Sequence, residues 1–329
     1  MTSPDMTEAN IDRLAELFPN VITETLDAAA ELDAAGIPNG LMNDMAAVIR
    51  HPQLVERHRW TSVGSPVGEI DAVGEGVDPS RIGQRVWTWL ASPGGDGGAA
   101  LAEWGTCAQY TVLPAEQATV LPDGAPDDLG ACLGVPAMTA YHCLFADGPV
   151  TGRTVLVTGG AGAVGHYGIQ LARWAGATVV TTVSGPEKAE LARAAGAHHV
   201  VNYRDGDPGA AILDAAGPVD RIVEVSLAHN LAQDLAVLRN GGAVVSYAAT
   251  PQDPSIPVRA LMGANAVLRF ALLYTVPRPV LADAAHGLGV AAAHGALTPL
   301  PVTRFGIDDV VAAHEAVEAG TTGKVVVDL

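Results

Sequence analysis

The chain has 329 residues, 49% of them hydrophobic and 16% charged, a balance that fits a sizeable core of one or two domains and excludes wholesale disorder. Its 36 acidic residues against 18 basic ones give a formal net charge of −18. Such a surface repels phosphate backbones and anionic lipid, so nucleic acid and membrane surfaces are poor partners, although a small phosphate ligand needs only a helix N-terminus and one or two local cations.

Residues 7–17 and 23–35 carry apolar side chains at helical spacing, with Pro19 stopping the first run. A "GIPNG" turn and a short helical piece over 44–50 follow. Strand texture begins near Val67: "EIDAVGEGV" and "GQRVWTW" read as short strands separated by glycine turns, and "GTCAQYTVLPAEQATVLP" alternates like a small barrel or sheet. "DDLGACLGVPAMTAYHCLFAD" turns helical, with Pro136 kinking or breaking the run. From Thr154 the pattern becomes strand–helix–strand. "TVLVTG", "TVVTTV", "HHVVNY", "DRIVEVS" and "AVVSYAA" read as strands, and "AVGHYGIQLARWAG", "GPEKAELARAAG" and "LAQDLAVLRNGG" as helices between them. This alternation predicts an α/β doubly wound parallel sheet covered on both faces. The tail returns to mixed structure and closes on a strand, "KVVVDL".

The chemistry is carried by "TVLVTGGAGAVGHYGIQLARWAGATVVTTVS", in which Gly160, Gly162 and Gly165 form G-x-G-x-x-G. The motif alone is weak in a glycine-rich chain, but here a strand precedes it, a helix starts within it and a strand follows. Gly160 is assigned the tight turn, Gly162 the approach of backbone N–H groups to a pyrophosphate, and Gly165 close packing of helix on strand. The phosphates then sit at the helix N-terminus. At the end of the next strand an NAD enzyme places a carboxylate for the ribose 2′-hydroxyl. This chain has Val183, Ser184 and Gly185 there, with Lys188 one turn on and Tyr203 and Arg204 after the third strand. That set favours NADPH, against the plainer reading of Lys188 and Arg204 as solvated surface cations.

Other chemistries fit less well. Cys107, Cys132 and Cys143 are too few for a four-cysteine zinc site and form no CxxC, there is no HExxH among the ten histidines, no tyrosine is followed by lysine four residues on, and no G-x-S-x-G occurs. No metal is therefore expected. The odd cysteine count, an N-terminus without an apolar leader and the lack of a run of about 18 apolar residues set the expectation of a cytoplasmic protein.

From about Asp71 onward, "AVGEGVDPSRIGQRVW", "WGTCAQYTVLPAEQ", "GACLGVPAMTAYHCL", "VLVTGGAGAVGHYGIQLARWAGATVV", "GGAVVSYA" and "TTGKVVVDL" stand in the order they take in one family. The chain resembles a zinc-independent medium-chain dehydrogenase/reductase of the NADPH:quinone oxidoreductase, or zeta-crystallin-like, branch. The resemblance implies a Rossmann NADP(H)-binding domain over residues 127–274. It also implies a GroES-like β-barrel catalytic domain over 70–126 and 275–329, its N-terminal half replaced by an atypical helical segment, 1–69. It places Thr139 at the nicotinamide end, Ala163, Val164 and Gly165 on the pyrophosphate, and Ser184, Lys188 and Tyr203 on the 2′-phosphate. Tyr247, Ala248 and Ala249, and the segment around Tyr274, pass near the nicotinamide ribose or a dimer seam. The implied reaction is hydride transfer from NADPH to a quinone or an activated alkene or carbonyl, in a homodimer. Tyr141 and His142 are the nearest protic candidates for catalysis, with simple packing on the linking helix the alternative.

Residues 32–69, "LDAAGIPNGLMNDMAAVIRHPQLVERHRWTSVGSPVGE", instead resemble a fragment of a CaiB/BaiF-type CoA-transferase, and "DRLAELFPNVITETLD" more weakly resembles the start of a restriction–modification methyltransferase subunit. Neither carries its family's catalytic centre. The competing functions are accordingly a working reductase, an NADP(H)-binding protein with impaired catalysis, and a CoA-related or interaction role for the N-terminal segment. The junction falls near residues 68–71.

Overall fold

A computed structural model of the chain describes residues 67–74, 76–91, 111, 113–251 and 253–328. The helices expected before Val67, the "GGDGGAA" loop and most of the alternation expected over 105–112 lie outside the described residues.

β1 (Val67–Glu69), β2 (Arg85–Thr88) and β3 (Ala118–Val120) form an antiparallel sheet in that order. Val67 pairs with Trp87 and Glu69 with Arg85, so "VGE", on one side of the expected junction, pairs directly with "RVWT" on the other. Gly130 leaves room for this contact: a Cβ there would lie 2.8 Å from Val67 Cγ2. The strand expected over "EIDAVGEGV" ends at Glu69. Asp71 and Gly74 favour turns over pleated backbone, and Gly76 takes a φ of 82°.

α1 (Asp127–Cys132) runs into a π-helical turn (Leu133–Ala137) and then α2 (Met138–Phe145). Pro136 has no N–H to donate, and the chain widens by one residue instead of breaking, with the Met138 amide reaching the Leu133 carbonyl.

The main sheet has six parallel strands: β4 (Thr154–Val157), β5 (Thr178–Val183), β6 (His199–Asn202), β7 (Val219–Glu224), β8 (Leu238–Ser246) and β9 (Val267–Phe270). Their order is β6-β5-β4-β7-β8-β9. Connecting them are α3 (Ala163–Trp174), α4 (Pro186–Ala194), α5 (Pro208–Ala216), α6 (Leu227–Val237) and α7 (Val258–Gly263). Val155, Leu156 and Val157 are wholly buried because β4 is covered on both faces, each such side chain contributing about 1.5–3 kcal/mol. One core gathers Ile169 and Leu171 of α3 and Ala192 of α4 with Leu133 and Leu144. The other gathers Ile212 of α5 and Leu227 and Leu231 of α6. Strand order reverses between the parallel neighbours β4 and β7, which makes their carboxyl ends the switch point where open α/β sheets bind ligands.

Two expectations are corrected in detail. The helix read through "LAQDLAVLRNGG" stops at Val237, and β8 begins at Leu238. Gly241 adopts a φ of 77°, and a Cβ on Gly242 would meet Leu238 Cδ1 at 2.7 Å, so the glycine pair bends into an irregular β7–β8 register. The tail read as mixed contains α8 (Arg278–Ala293), a 16-residue helix packed on α2 and β3. α9 (Val310–Glu318) then connects β10 (Val302–Gly306) and β11 (Lys324–Asp328), which pair in parallel.

Candidate cofactor site

The loop after β4 delivers its backbone to the switch point. Gly159 takes a φ of 68°, so it, not Gly160, makes the tight turn. Gly160 is required for a close approach: a Cβ there would lie 2.1 Å from Thr181 Oγ1 and 2.8 Å from Ile169 Cδ1. The Gly160 amide donates to the Thr182 carbonyl at 3.0 Å, tying the loop to β5. A Cβ on Gly165 would fall 2.3 Å from the Gly159 carbonyl oxygen, so α3 packs on the loop's own backbone just beyond the strand. Gly162 is exposed, caps α3 without a side-chain hydrogen bond, and would place a Cβ 3.2 Å from Gly159 O. The first intrahelical bond runs from the His166 amide to Gly162 O at 2.8 Å. The amides of Ala163, Val164 and Gly165 thus have no acceptor within the helix. A bare helix N-terminus behind an open glycine loop fits a dinucleotide pyrophosphate.

The adenosine end is set by neighbouring strands. Val183 pairs with Asn202, and the Tyr203 amide donates to the Val183 carbonyl at 3.1 Å. This places Tyr203, 48% exposed, beside half-buried Ser184. Lys188 is exposed in the first turn of α4, and Arg204 is exposed after Tyr203. Neither side chain is engaged in an ion pair among the described residues.

On the other side of the switch point, the Tyr247 amide donates to the Glu224 carbonyl at 3.2 Å, and Ala248 and Ala249 are exposed just past β8. Burial pushes the Tyr247 phenol well up, with Cys143 and Glu224 adding to the shift. Thr139 is buried on α2, its hydroxyl donating to the Val135 carbonyl at 2.7 Å across the π turn. Tyr141 is turned away from the strand ends toward α8: its ring lies 4.6 Å from that of Phe145, and a Cβ on Gly287 would meet its hydroxyl at 2.4 Å. Burial, and then Asp283, raises its phenol pKa. Burial and then Arg269 lower that of His142, against the pull of Asp147.

Two functional-edge residues escape the sequence reading. Glu224, the last residue of β7, and Asp234 of α6 are both completely buried. Asp234 falls on the apolar stripe begun by Leu227 and Leu231, at i, i+4 and i+7. A carboxylate at a core position of an amphipathic helix is the signal that could have found it.

The family model described as "Zinc-binding dehydrogenase" matches residues 163–285. The quinone oxidoreductase of Lama guanicoe is 30% identical over 264 residues, spanning 79% of this chain and 76% of that protein. Among solved structures, 2-haloacrylate reductase superposes with a TM-score of 0.67 at 27% identity, over 83% of this chain and 85% of that one. The Escherichia coli quinone oxidoreductase complexed with NADPH shares the fold, with a TM-score of 0.63 at 23% identity over 80% and 81%. The chain belongs to the medium-chain dehydrogenase/reductase family, in its quinone oxidoreductase branch. Among the described residues no cluster of three or more His, Cys, Asp and Glu could hold a metal ion. Cys132 and Cys143 are buried thiols, the latter pushed up to about 12, chiefly by burial. No helix among the described residues is long and apolar enough to cross a membrane.

Proposed function

We propose that the chain is an NADPH-dependent reductase that transfers hydride to a quinone or to an activated alkene or carbonyl, without metal. The observation that carries this reading is the bare N-terminus of α3 behind Gly159–Gly162, set beside a strand end that offers Ser184, Lys188 and Tyr203 in place of a ribose-binding carboxylate. The names of its relatives support the substrate class: quinone oxidoreductase and 2-haloacrylate reductase both reduce electron-poor π systems.

Bound reduced nicotinamide supplies the hydride, two electrons with one proton, and the acceptor takes a further proton to complete reduction. The chain's own contribution is placement. Ala163, Val164 and Gly165 hold the pyrophosphate by backbone N–H. Ser184, Lys188 and Tyr203 select the 2′-phosphate. Tyr247, Ala248, Ala249 and Thr139 bound the nicotinamide end. Fixing donor against acceptor and excluding water supply most of the rate. The Tyr141 hydroxyl lies against Gly287 of α8, and in this reading the second proton comes from solvent.

Residues 127–274 form the nucleotide-binding part and 70–126 with 275–329 the GroES-like part, behind an atypical segment 1–69. A second copy of the chain covers the β9 edge, where Phe270 is 65% exposed, Val267 44% and Met262 of α7 72%. An unpaired, apolar edge strand of this kind is a template for strand pairing. Following NADPH absorbance with a panel of small quinones and enones tests the activity. Turnover dependent on both partners is the expected result, and cofactor binding without turnover would overturn it.

A further inference from the structure

Glu224 ends β7 at the cofactor edge, and Asp234 reaches it from two turns further along α6. Both carboxyls are shielded completely from solvent. Glu224 Oε1 accepts from the Ser226 amide and from Asn230 Nδ2, the latter at 2.9 Å. Among the described residues Glu224 Oε2 and both carboxyl oxygens of Asp234 find no N–H or hydroxyl donor, and each acid acts on the other.

The groups that act on the pair are Thr158 from the turn after β4, Ser226 and Asn230 from the β7–α6 turn and α6, and the two acids themselves. Tyr247 of β8 feels Glu224 in turn. On α5, which packs against α6, Asp207 is occupied in accepting from the Gly209 and Ala210 amides. The cation nearest in sequence, Arg221, is held by the Cys143 carbonyl and Asp147. With no cation among the described residues acting on either carboxyl, two ionised acids cannot occupy this site together, and a single proton between them supplies the missing donor.

We propose that Glu224 and Asp234 share one proton, and that this acid pair is a positioning element that holds the β7–α6 turn against the cofactor loop and thereby sets cofactor affinity. The link to the loop is short. The Val225 amide donates to Thr158 Oγ1 at 3.0 Å, and the Thr158 hydroxyl donates to the Val223 carbonyl at 3.2 Å. Val225 Cγ1 lies 3.3 Å from where a Cβ on Gly159 would stand. Shifting the turn therefore pushes on the residue that makes the tight bend ahead of α3. Burial, followed by the charge of Glu224, pushes the Asp234 carboxyl up to about 9, so the proton stays in place at neutral pH and leaves in alkali. The effect on cofactor rests on the dinucleotide reading above; the shared proton does not.

The test measures NADPH dissociation constants from neutral to alkaline pH for the wild type and Asp234→Asn, whose amide donates to Glu224 at every pH. Alongside, the infrared carbonyl band of a protonated carboxyl is followed in the cofactor-free protein. The proposal expects the band at pH 7 in the wild type and its loss in Asp234→Asn. It expects wild-type affinity to fall at least about tenfold as the band disappears, the scale of one charge-assisted hydrogen bond, with no such fall in the variant. Absence of the band at pH 7 overturns the proposal whether or not NADPH binds. A band that disappears while wild-type affinity holds overturns the positioning role. Should NADPH bind at no pH, the dinucleotide reading fails by itself. The proposal is then decided by the Val225 and Ser226 amide resonances, which must shift as the band disappears and overturn it if they stay.

Discussion

The amide of Tyr203 donates to the carbonyl of Val183 at 3.1 Å, and this one bond brings the ends of β5 and β6 together as a single adenosine-side wall. It sets Tyr203 beside Ser184, with Lys188 on the helix that starts two residues later. If that wall reads a 2′-phosphate, its charge decides cofactor choice. Lys188→Ala should weaken NADPH by roughly ten- to a hundredfold, since a hydrogen bond to a charged group contributes about 1.5–3 kcal/mol, and leave NADH unchanged. Ser184→Asp should reverse the preference. Paired fluorescence titrations check both, and equal losses for the two cofactors would contradict the assignment.

Gly165 makes a second prediction. Its missing side chain is what lets α3 lie on the Gly159–Gly160 backbone, with 2.3 Å between an added Cβ and Gly159 O. Backbone cannot step aside as a flexible side chain can, so Gly165→Ala should lower stability by about 1–3 kcal/mol and abolish measurable NADPH binding. Thermal melts and calorimetric titration report the two effects separately.

The buried acid pair gives stability a definite pH dependence. Asp234 binds its proton more tightly folded, with a pKa of about 9, than at its ordinary 3.8. The folded state therefore holds more protons between those values, and this group's contribution erodes as pH rises through that window, levelling off above the folded pKa. Asp234→Asn removes the erosion. Its melting temperature relative to wild type should climb steadily from mildly acid to alkaline pH. A gap independent of pH would contradict the linkage.

The β9 edge predicts the assembly. Phe270→Glu puts a charge on the most exposed apolar side chain of that strand and should convert a dimer to a monomer with its NADPH binding retained. Light scattering on the eluting protein distinguishes the two masses.

Much of this was legible in the sequence where local and tertiary signals agree. β5 is legible to the residue because every residue of "TVVTTV" is β-branched and the run lies between Gly176 and Gly185. The dinucleotide loop was read because three glycines, a strand and a helix coincide. The division of labour among those glycines was not, since Gly159 and Gly160 look alike until Thr181 and Ile169 close on one of them. The start of β8 at Leu238 was missed because its glycines belong to an irregular register with β7 that no periodicity records. Tyr141 and His142 are the nearest protic candidates on sequence, and only tertiary packing turns the Tyr141 hydroxyl toward Gly287. Asp234 was missed because its partner is ten residues away in sequence and on a different element.

The most direct test of the central claim is steady-state oxidation of NADPH by purified full-length protein across a panel of quinones and activated alkenes, with binding measured on the same sample. The account predicts saturable NADPH binding and acceptor-dependent oxidation, both much weaker with NADH. Tight NADPH binding with no oxidation by any acceptor would contradict it and identify the chain as a cofactor-binding protein whose catalysis is lost.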